Sequence, residues 1–295
     1  DTQRLELEVG SVILAPGFVP FDPSRYETYN YVHHPNILTS LEFERILSAS
    51  GPTMGHLVRP SDSKEPKKIA WLQCVGSRDI NRCDHGYCSS VCCMYAIKEA
   101  VIAKEHSKEP LDAAIFYMDM RTYGKEFEKY YNRAEEESGV RFIRSRVHTV
   151  EPVENDNLRI RFATESGEVK EEDFDLVVLS IGLAPIEGAS ELAERLGIAL
   201  NEHQYAMTSS FAPVKTSRDG IYVCGVFQSP KDIPQSVMEA SATAAASTED
   251  LAAARGTMTR SKQLPPELDV SGQVPRIGVF VCNCGINIGG IADVP

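Results

Sequence analysis

Residues 68–106 read KIAWLQCVGSRDINRCDHGYCSSVCCMYAIKEAVIAKEH, and the fold is decided there. The apolar run Ile69–Leu72 is that of a buried strand. The loop after it holds Cys74 and Cys83, and a helix is expected to carry Cys88, Cys92 and Cys93 in its first turns. Five of the 8 cysteines thus fall in one strand-to-helix corner. In an α/β protein such a corner is where anionic ligands bind, because free N–H groups and the helix dipole point at it. Here the corner holds thiols. At helical spacing Cys88 and Cys92 share a face with Cys93 about 100° round the axis, so four sulfurs, Cys74 included, converge on one centre. An iron–sulfur cluster suits this set, since it needs several thiolates, tolerates adjacent ligands and gains from a helix N-terminus. Structural zinc competes for the same thiols, with Cys83 and His85 widening its choice, although the C-x2-C knuckle usual for zinc is missing. A redox dithiol at Cys92 and Cys93 is a third reading, while disulfides are disfavoured because such helix neighbours pair poorly. Cys83, set among Asp79, Arg82, Asp84 and His85, reads as the spare thiol.

The chain has 295 residues, enough for two units with cores of their own. Its net charge of −12 argues against nucleic acid or an anionic membrane as partner, which would call for basic patches. No apolar run of about 18 residues is present, so no membrane span is expected. The opening DTQRLELEVG is polar and strand-like, unlike a signal peptide. Clustered reduced cysteines then point to the cytoplasm, and to an anaerobic one if the centre is iron–sulfur. None of the 20 glycines is followed by another two positions on, so G-x-G-x-x-G is absent. A dinucleotide fold without its phosphate fingerprint is degenerate or incomplete.

Along the chain, Glu6–Leu14 reads as a strand ending in Ala15, Pro16 and Gly17. Residues 21–36 read as an irregular surface excursion whose His33 and His34 are solvated or packing side chains. Thr39 or Ser40 caps a short helix. After the cysteine corner the pattern gives a strand at 111–120, a helix at 123–138, a strand at 140–143, an antiparallel set over 148–174, and a closing strand at 176–181. This is the order of the nicotinamide-binding domain of disulfide-reductase flavoproteins, with Cys74–Arg78 where its glycine loop should be. Beyond Gly182 come a helix at 189–196, a strand at 221–224 ending at Gly225, and a helix from about Pro234 to Ala254. Cys224 reads as an inert core thiol. Likeness to those flavoproteins implies a division into 1–60 and 184–255 for two parts of one FAD-binding domain, 61–183 for the degenerate nicotinamide-type domain, 256–275 for a linker and 276–295 for the start of a further module holding Cys282 and Cys284.

The strings QCVGSRD (73–79) and YCSSVCCMYAIKEA (87–100) resemble the cluster-binding segment of the A-type subunit family of heterodisulfide reductase, a thioredoxin-reductase-like iron–sulfur flavoprotein. The resemblance implies an α/β fold with two dinucleotide-binding domains, the nicotinamide type degenerate, of which this sequence is a fragment. It implies a [4Fe–4S] cluster on Cys74, Cys88, Cys92 and Cys93, and leaves Cys83 without a place. The string ILAPGF (13–18) resembles the strand end that lies near the flavin in such proteins. The stretch 220–247 resembles their closing FAD motif. The implied FAD half-site comprises Ala15, Pro16, Gly17, Gly182, Gly225, Asp232, Ile233, Pro234 and Gln235. The acidic residue usual after the strand-end glycine is missing, with Val226 and Phe227 there instead and Asp232 as the candidate substitute. RIGVFVCNCGINIGGIADV (276–294) resembles the N-terminal opening of the same family. The implied function is electron transfer, bifurcating in the family, between FAD and the cluster, in energy metabolism of the methanogenic type. Implied partners are the other subunits of a heterodisulfide-reductase-like complex, a hydrogenase or dehydrogenase donor, and ferredoxin, with a homodimer compatible. The alternative from another class is a zinc-stabilised, non-catalytic scaffold. A complete NAD(P)H-dependent disulfide reductase is disfavoured for want of the glycine fingerprint.

Overall fold

A computed structural model describes residues 3–280. Its central element is a parallel five-stranded sheet built from β3 (Ile37–Thr39), β4 (Lys68–Val75), β5 (Asp112–Tyr117), β6 (Arg141–Arg144) and β10 (Leu176–Ile181), in the order β3-β10-β4-β5-β6. β10 is buried at every position and β4 at most, which is why both read as unbroken apolar runs rather than as alternation. Helices α1 (Ser40–Leu47), α3 (Cys92–His106) and α4 (Phe127–Glu136) cover one face, where Phe43, Ile97, Ala100 and Ala134 pack on Trp71, Ile115 and Val178. α1 starts at a capping box, the Thr39 hydroxyl accepting from the Glu42 N–H while the Glu42 carboxylate accepts from the Thr39 N–H. The other face carries an antiparallel meander of β7 (Val150–Pro152), β8 (Leu158–Ala163) and β9 (Val169–Phe174). Ile160, Phe162 and Phe174 from the meander pack on Leu72, Phe116 and Leu179.

The excursion at 21–36 is not at the surface as expected. Phe21, Tyr26 and Tyr29 are buried in this second core layer, held by two short 3-10 turns. Their polar neighbours hid an aromatic contribution that packs beneath the meander. The Tyr29 hydroxyl finds the Val147 carbonyl at 3.0 Å, which satisfies its only polar group. His34 is a packing residue whose pKa burial lowers, its Nδ1 accepting from the Asn36 N–H.

A second, smaller group surrounds the parallel pair β1 (Val12–Leu14) and β12 (Ile221–Val223), with α5 (Ala189–Leu196) and α6 (Ile233–Asp250). β1 is shorter than the expected 6–14. An antiparallel ladder of β2 (Val19–Pro20) and β11 (Leu183–Ala184) joins the two groups. Residues 256–280 form no helix or strand, and Cys282 and Cys284 lie outside the described residues. Among the described residues no helix is long and apolar enough to cross a membrane.

One carboxyl lies deep under α3. Glu99 is 4% exposed and accepts from the Trp71 indole N–H at 3.0 Å. Burial holds its pKa well above the usual 4.5, so the neutral acid is the folded form. A raised folded pKa stabilises fully below the unfolded value and is lost as pH rises through the folded value. Glu99→Gln keeps the acceptor for Trp71 and carries no charge. Urea unfolding between pH 5 and 8 should therefore show the variant gaining on the parent protein as pH rises.

Candidate metal centre

The thiols gather at the C-terminal end of β4, in the middle of the sheet. The path there is unusual. Cys74, Gly76 and Arg78 all have positive φ (61°, 77° and 55°), as does Ser90 (64°) in the second cysteine loop. Non-glycine residues held left-handed cost of order 1 kcal/mol or more each, and such strain collects at functional sites. Gly76 is required twice over, because a Cβ there would also lie 2.0 Å from the Phe21 ring. Between the loops runs α2 (Ile80–Cys83), capped by Asp79, whose buried carboxylate also takes Arg146 at 2.5 Å.

The expectation that Cys88 and Cys92 share a helix face does not hold. α3 begins only at Cys92, and the left-handed Ser90 breaks the pattern that would have carried it back to Cys88. Cys88 instead lies in the loop, its sulfur accepting from the Ser90 N–H at 3.3 Å. Cys92 and Cys93 open α3, and no side chain caps this helix, since Val91 stands at the cap position. Its first-turn N–H groups thus lack the usual oxygen acceptor.

Cys92 and Cys93 are buried, while Cys74 and Cys88 are half-buried. Burial first, then the neighbouring sulfurs, raises the Cys74, Cys92 and Cys93 thiols; Cys93 is pushed up to about 11. Cys88 acts on all three, so the four thiols lie within electrostatic reach of one another. Cys83 stands apart, donating to the Asp79 carbonyl and accepting the Tyr26 hydroxyl at 3.2 Å. Among the described residues no group of three or more His, Cys, Asp or Glu side chains is drawn together tightly enough to hold a metal ion. A single zinc would want its thiolates about 3.8 Å apart, given bonds of about 2.3 Å. A four-iron cluster puts each thiolate on a different iron and spreads them wider. The donor set, the uncapped helix and the left-handed turns fit such an anionic cluster.

Two serines bind the cysteine loops to each other. The Ser77 and Ser89 hydroxyls are 2.6 Å apart, and Ser89 Oγ accepts from the Leu183 N–H at 2.9 Å. Gly182 passes so close that a Cβ would lie 2.4 Å from Ser77 Oγ; it packs behind the thiols. Tyr95 donates to the Ile181 carbonyl at 2.5 Å, while Tyr87 and Tyr205 both donate to the Leu183 carbonyl at 2.9 and 3.0 Å.

The strand-end residues of the other group come together as expected. β1 and β12 run parallel, so Ala15–Gly17 and Gly225 emerge side by side. Gly17 and Gly225 have φ of 83° and 70°, and a Cβ on either would meet nothing within 4 Å, leaving an open backbone surface. Asp232 caps α6 by accepting from the Gln235 N–H at 2.9 Å, so it stays with the helix. Ile233 and Pro234 are exposed at that helix start. Sequence reasoning missed Glu239, whose carboxylate accepts from the Gly225 N–H at 3.0 Å and pairs with the buried Lys231. Nothing local flagged them, since they reach Gly225 through the turn of α6.

The sequence model for pyridine nucleotide-disulphide oxidoreductases matches residues 2–244. The chain belongs to that family. It is 46% identical over 257 residues to the A-type iron–sulfur subunit of a CoB–CoM heterodisulfide reductase of Methanopyrus kandleri, covering 86% of this chain and 39% of that one. It is 42% identical over 250 residues to the A-type subunit of the H2:CoB–CoM heterodisulfide, ferredoxin reductase of Methanothermobacter marburgensis, covering 83% and 37%. The resemblance to this heterodisulfide reductase family is therefore borne out, over less than half of the relatives' length. The thioredoxin reductases of T. acidophilum and Lactococcus lactis superpose with TM-scores of 0.51 at 16% and 17% identity, covering 81% and 82% of this chain and 65% of each. The fold is thus the thioredoxin-reductase-like one expected.

Ser89→Ala should cost about 1–3 kcal/mol, because it leaves the buried Leu183 N–H without an acceptor. Chemical denaturation measures this, with Ser40→Ala, which leaves the serine pair untouched, as the comparison.

Proposed function

We propose that this chain is the electron-transferring, iron–sulfur flavoprotein part of a heterodisulfide-reductase-like complex. One observation carries the reading: Cys74 at the end of β4 and Cys88, Cys92 and Cys93 at or just before the uncapped start of α3 share one strand-to-helix corner, where a nicotinamide domain would hold its phosphates. Cys74, Cys88, Cys92 and Cys93 would hold a [4Fe–4S] cluster. Ala15, Pro16, Gly17 and Gly225 would present open backbone to FAD, with Asp232, Ile233, Pro234 and Gln235 forming the helix start beside it, whereas Gly182 is buried against Ser77 and Ser89 and falls outside this surface. A flavin held by the first set would supply exchange of electron pairs with a donor, and a cluster held by the four cysteines would supply onward transfer of single electrons.

The chain's own residues bind, orient and exclude water. Burial of Cys92 and Cys93 keeps them protonated without metal, so metal binding must displace those protons. Tyr95, on the Ile181 carbonyl, closes the corner on the sheet side. The corresponding division is 1–60 with 184–255 for the flavin side and 61–183 for the cluster side. The partners would be the remaining subunits of such a complex, a hydrogenase or dehydrogenase donor and ferredoxin, in an anaerobic cytoplasm. The names of the relatives, which include ferredoxin and hydrogen or formate, support this assignment.

Anaerobic purification with iron and sulfide analysis tests the reading. Iron and acid-labile sulfide in equal amounts, about four of each per chain, with an EPR signal after dithionite, are expected. Serine variants of Cys74, Cys88, Cys92 or Cys93 should lose the signal, and Cys83→Ser should keep it. One zinc per chain and no iron would instead establish the scaffold.

A further inference from the structure

The loop after β5 crosses the thiol corner and brings charge to it. The Asp119 carbonyl lies 3.9 Å from Cys93 Sγ. The Asp119 carboxylate forms an ion pair with Arg78, and Arg121 approaches its other oxygen at 3.5 Å. Arg78 belongs to the first cysteine loop. Its N–H donates to the Tyr87 carbonyl at 2.9 Å, next to Cys88, its guanidinium pairs with the Asp119 carboxylate, and its positive charge acts on the Cys74 and Cys88 sulfurs. One side chain therefore acts on two candidate ligands by charge and is tied to a third through Asp119.

We infer that Arg78 is the positioning residue that sets the reduction potential of the centre, holding it above the value the same four thiols would give alone. The inference rests on the cluster reading proposed above. Reduction adds one electron, supplied here by dithionite, and leaves one more negative charge on the centre with no bond broken. A fixed guanidinium beside two ligands stabilises that added charge more than it stabilises the oxidised form. Asp119 works in the opposite sense, and by pairing with Arg78 it fixes both the place and the net strength of the cation. A lysine keeps the charge but cannot reproduce the planar fork that Arg78 sets against the Asp119 carboxylate.

The test is an EPR-monitored redox titration of the full chain, loaded anaerobically with iron and sulfide, alongside Arg78→Gln, Arg78→Lys and Asp119→Asn. Arg78→Gln is expected to shift the reduction equilibrium about tenfold toward the oxidised form, about 59 mV for one electron. Arg78→Lys should shift it less in the same direction, and Asp119→Asn should move it the other way. Iron and sulfide per chain are measured for every variant, so a lost ligand is not mistaken for a moved potential. A fully loaded Arg78→Gln titrating with the parent chain overturns the inference. Should Arg78→Gln fail to load, an unmoved potential in both Arg78→Lys and Asp119→Asn overturns it equally. A parent chain that takes up no iron overturns the cluster reading itself, and this inference with it.

Discussion

Everything at the thiol corner depends on the hydroxyl pair between Ser77 and Ser89. These two side chains lie 12 residues apart, are buried, and sit 2.6 Å from each other. One belongs to the loop that carries Cys74 and the other to the loop that carries Cys88. Besides that pair, the loops are held by the His85 ring on the Gly76 carbonyl at 2.9 Å and by backbone bonds from Arg78 to Tyr87 and from Asp79 to His85. A buried hydrogen bond of this kind contributes only about 1 kcal/mol in net terms, yet leaving its partners unmade costs more. Its influence is geometric: it sets the loop of Cys74 against the loop of Cys88.

Strain and burial act in the same place. Positive φ at Cys74, Gly76, Arg78 and Ser90 turns the chain back on itself twice within 17 residues. The packed sheet and Phe21 over-determine those turns, so the cost is carried by the core rather than by the site. The cations follow the same logic. The corner sits in an acidic protein of net charge −12, and still its immediate neighbours include Arg78 and Arg121. Local charge runs against the overall balance.

Much of this was legible in the sequence. The succession of strands and helices over 68–181, the meander over 148–174 and the helix at 189–196 follow from periodicity, because those elements bury one continuous face or both, whereas the edge strand Ile37–Thr39 was not foreseen. The Thr39 cap was readable from a four-residue pattern. Three further things were not. The start of α3 at Cys92 hung on a left-handed serine that propensity does not forecast. The burial of Phe21, Tyr26 and Tyr29 was hidden by polar neighbours, since irregular backbone carries no period to read. Glu239, held by Lys231, meets Gly225 only through tertiary packing, whereas the strand-end pattern directs attention to a carboxylate beside the glycine rather than on the following helix.

The two phenols on the Leu183 carbonyl come from residues 118 positions apart, Tyr87 beside a candidate ligand and Tyr205 in the smaller group. Any swing of one group past the other at the β2–β11 ladder would have to break both bonds together with the Tyr87–Tyr205 contact at 3.1 Å. The joint is thus a weld at its centre rather than a free pivot. Whatever orders the Tyr87 loop also stiffens the passage between the two halves of the molecule.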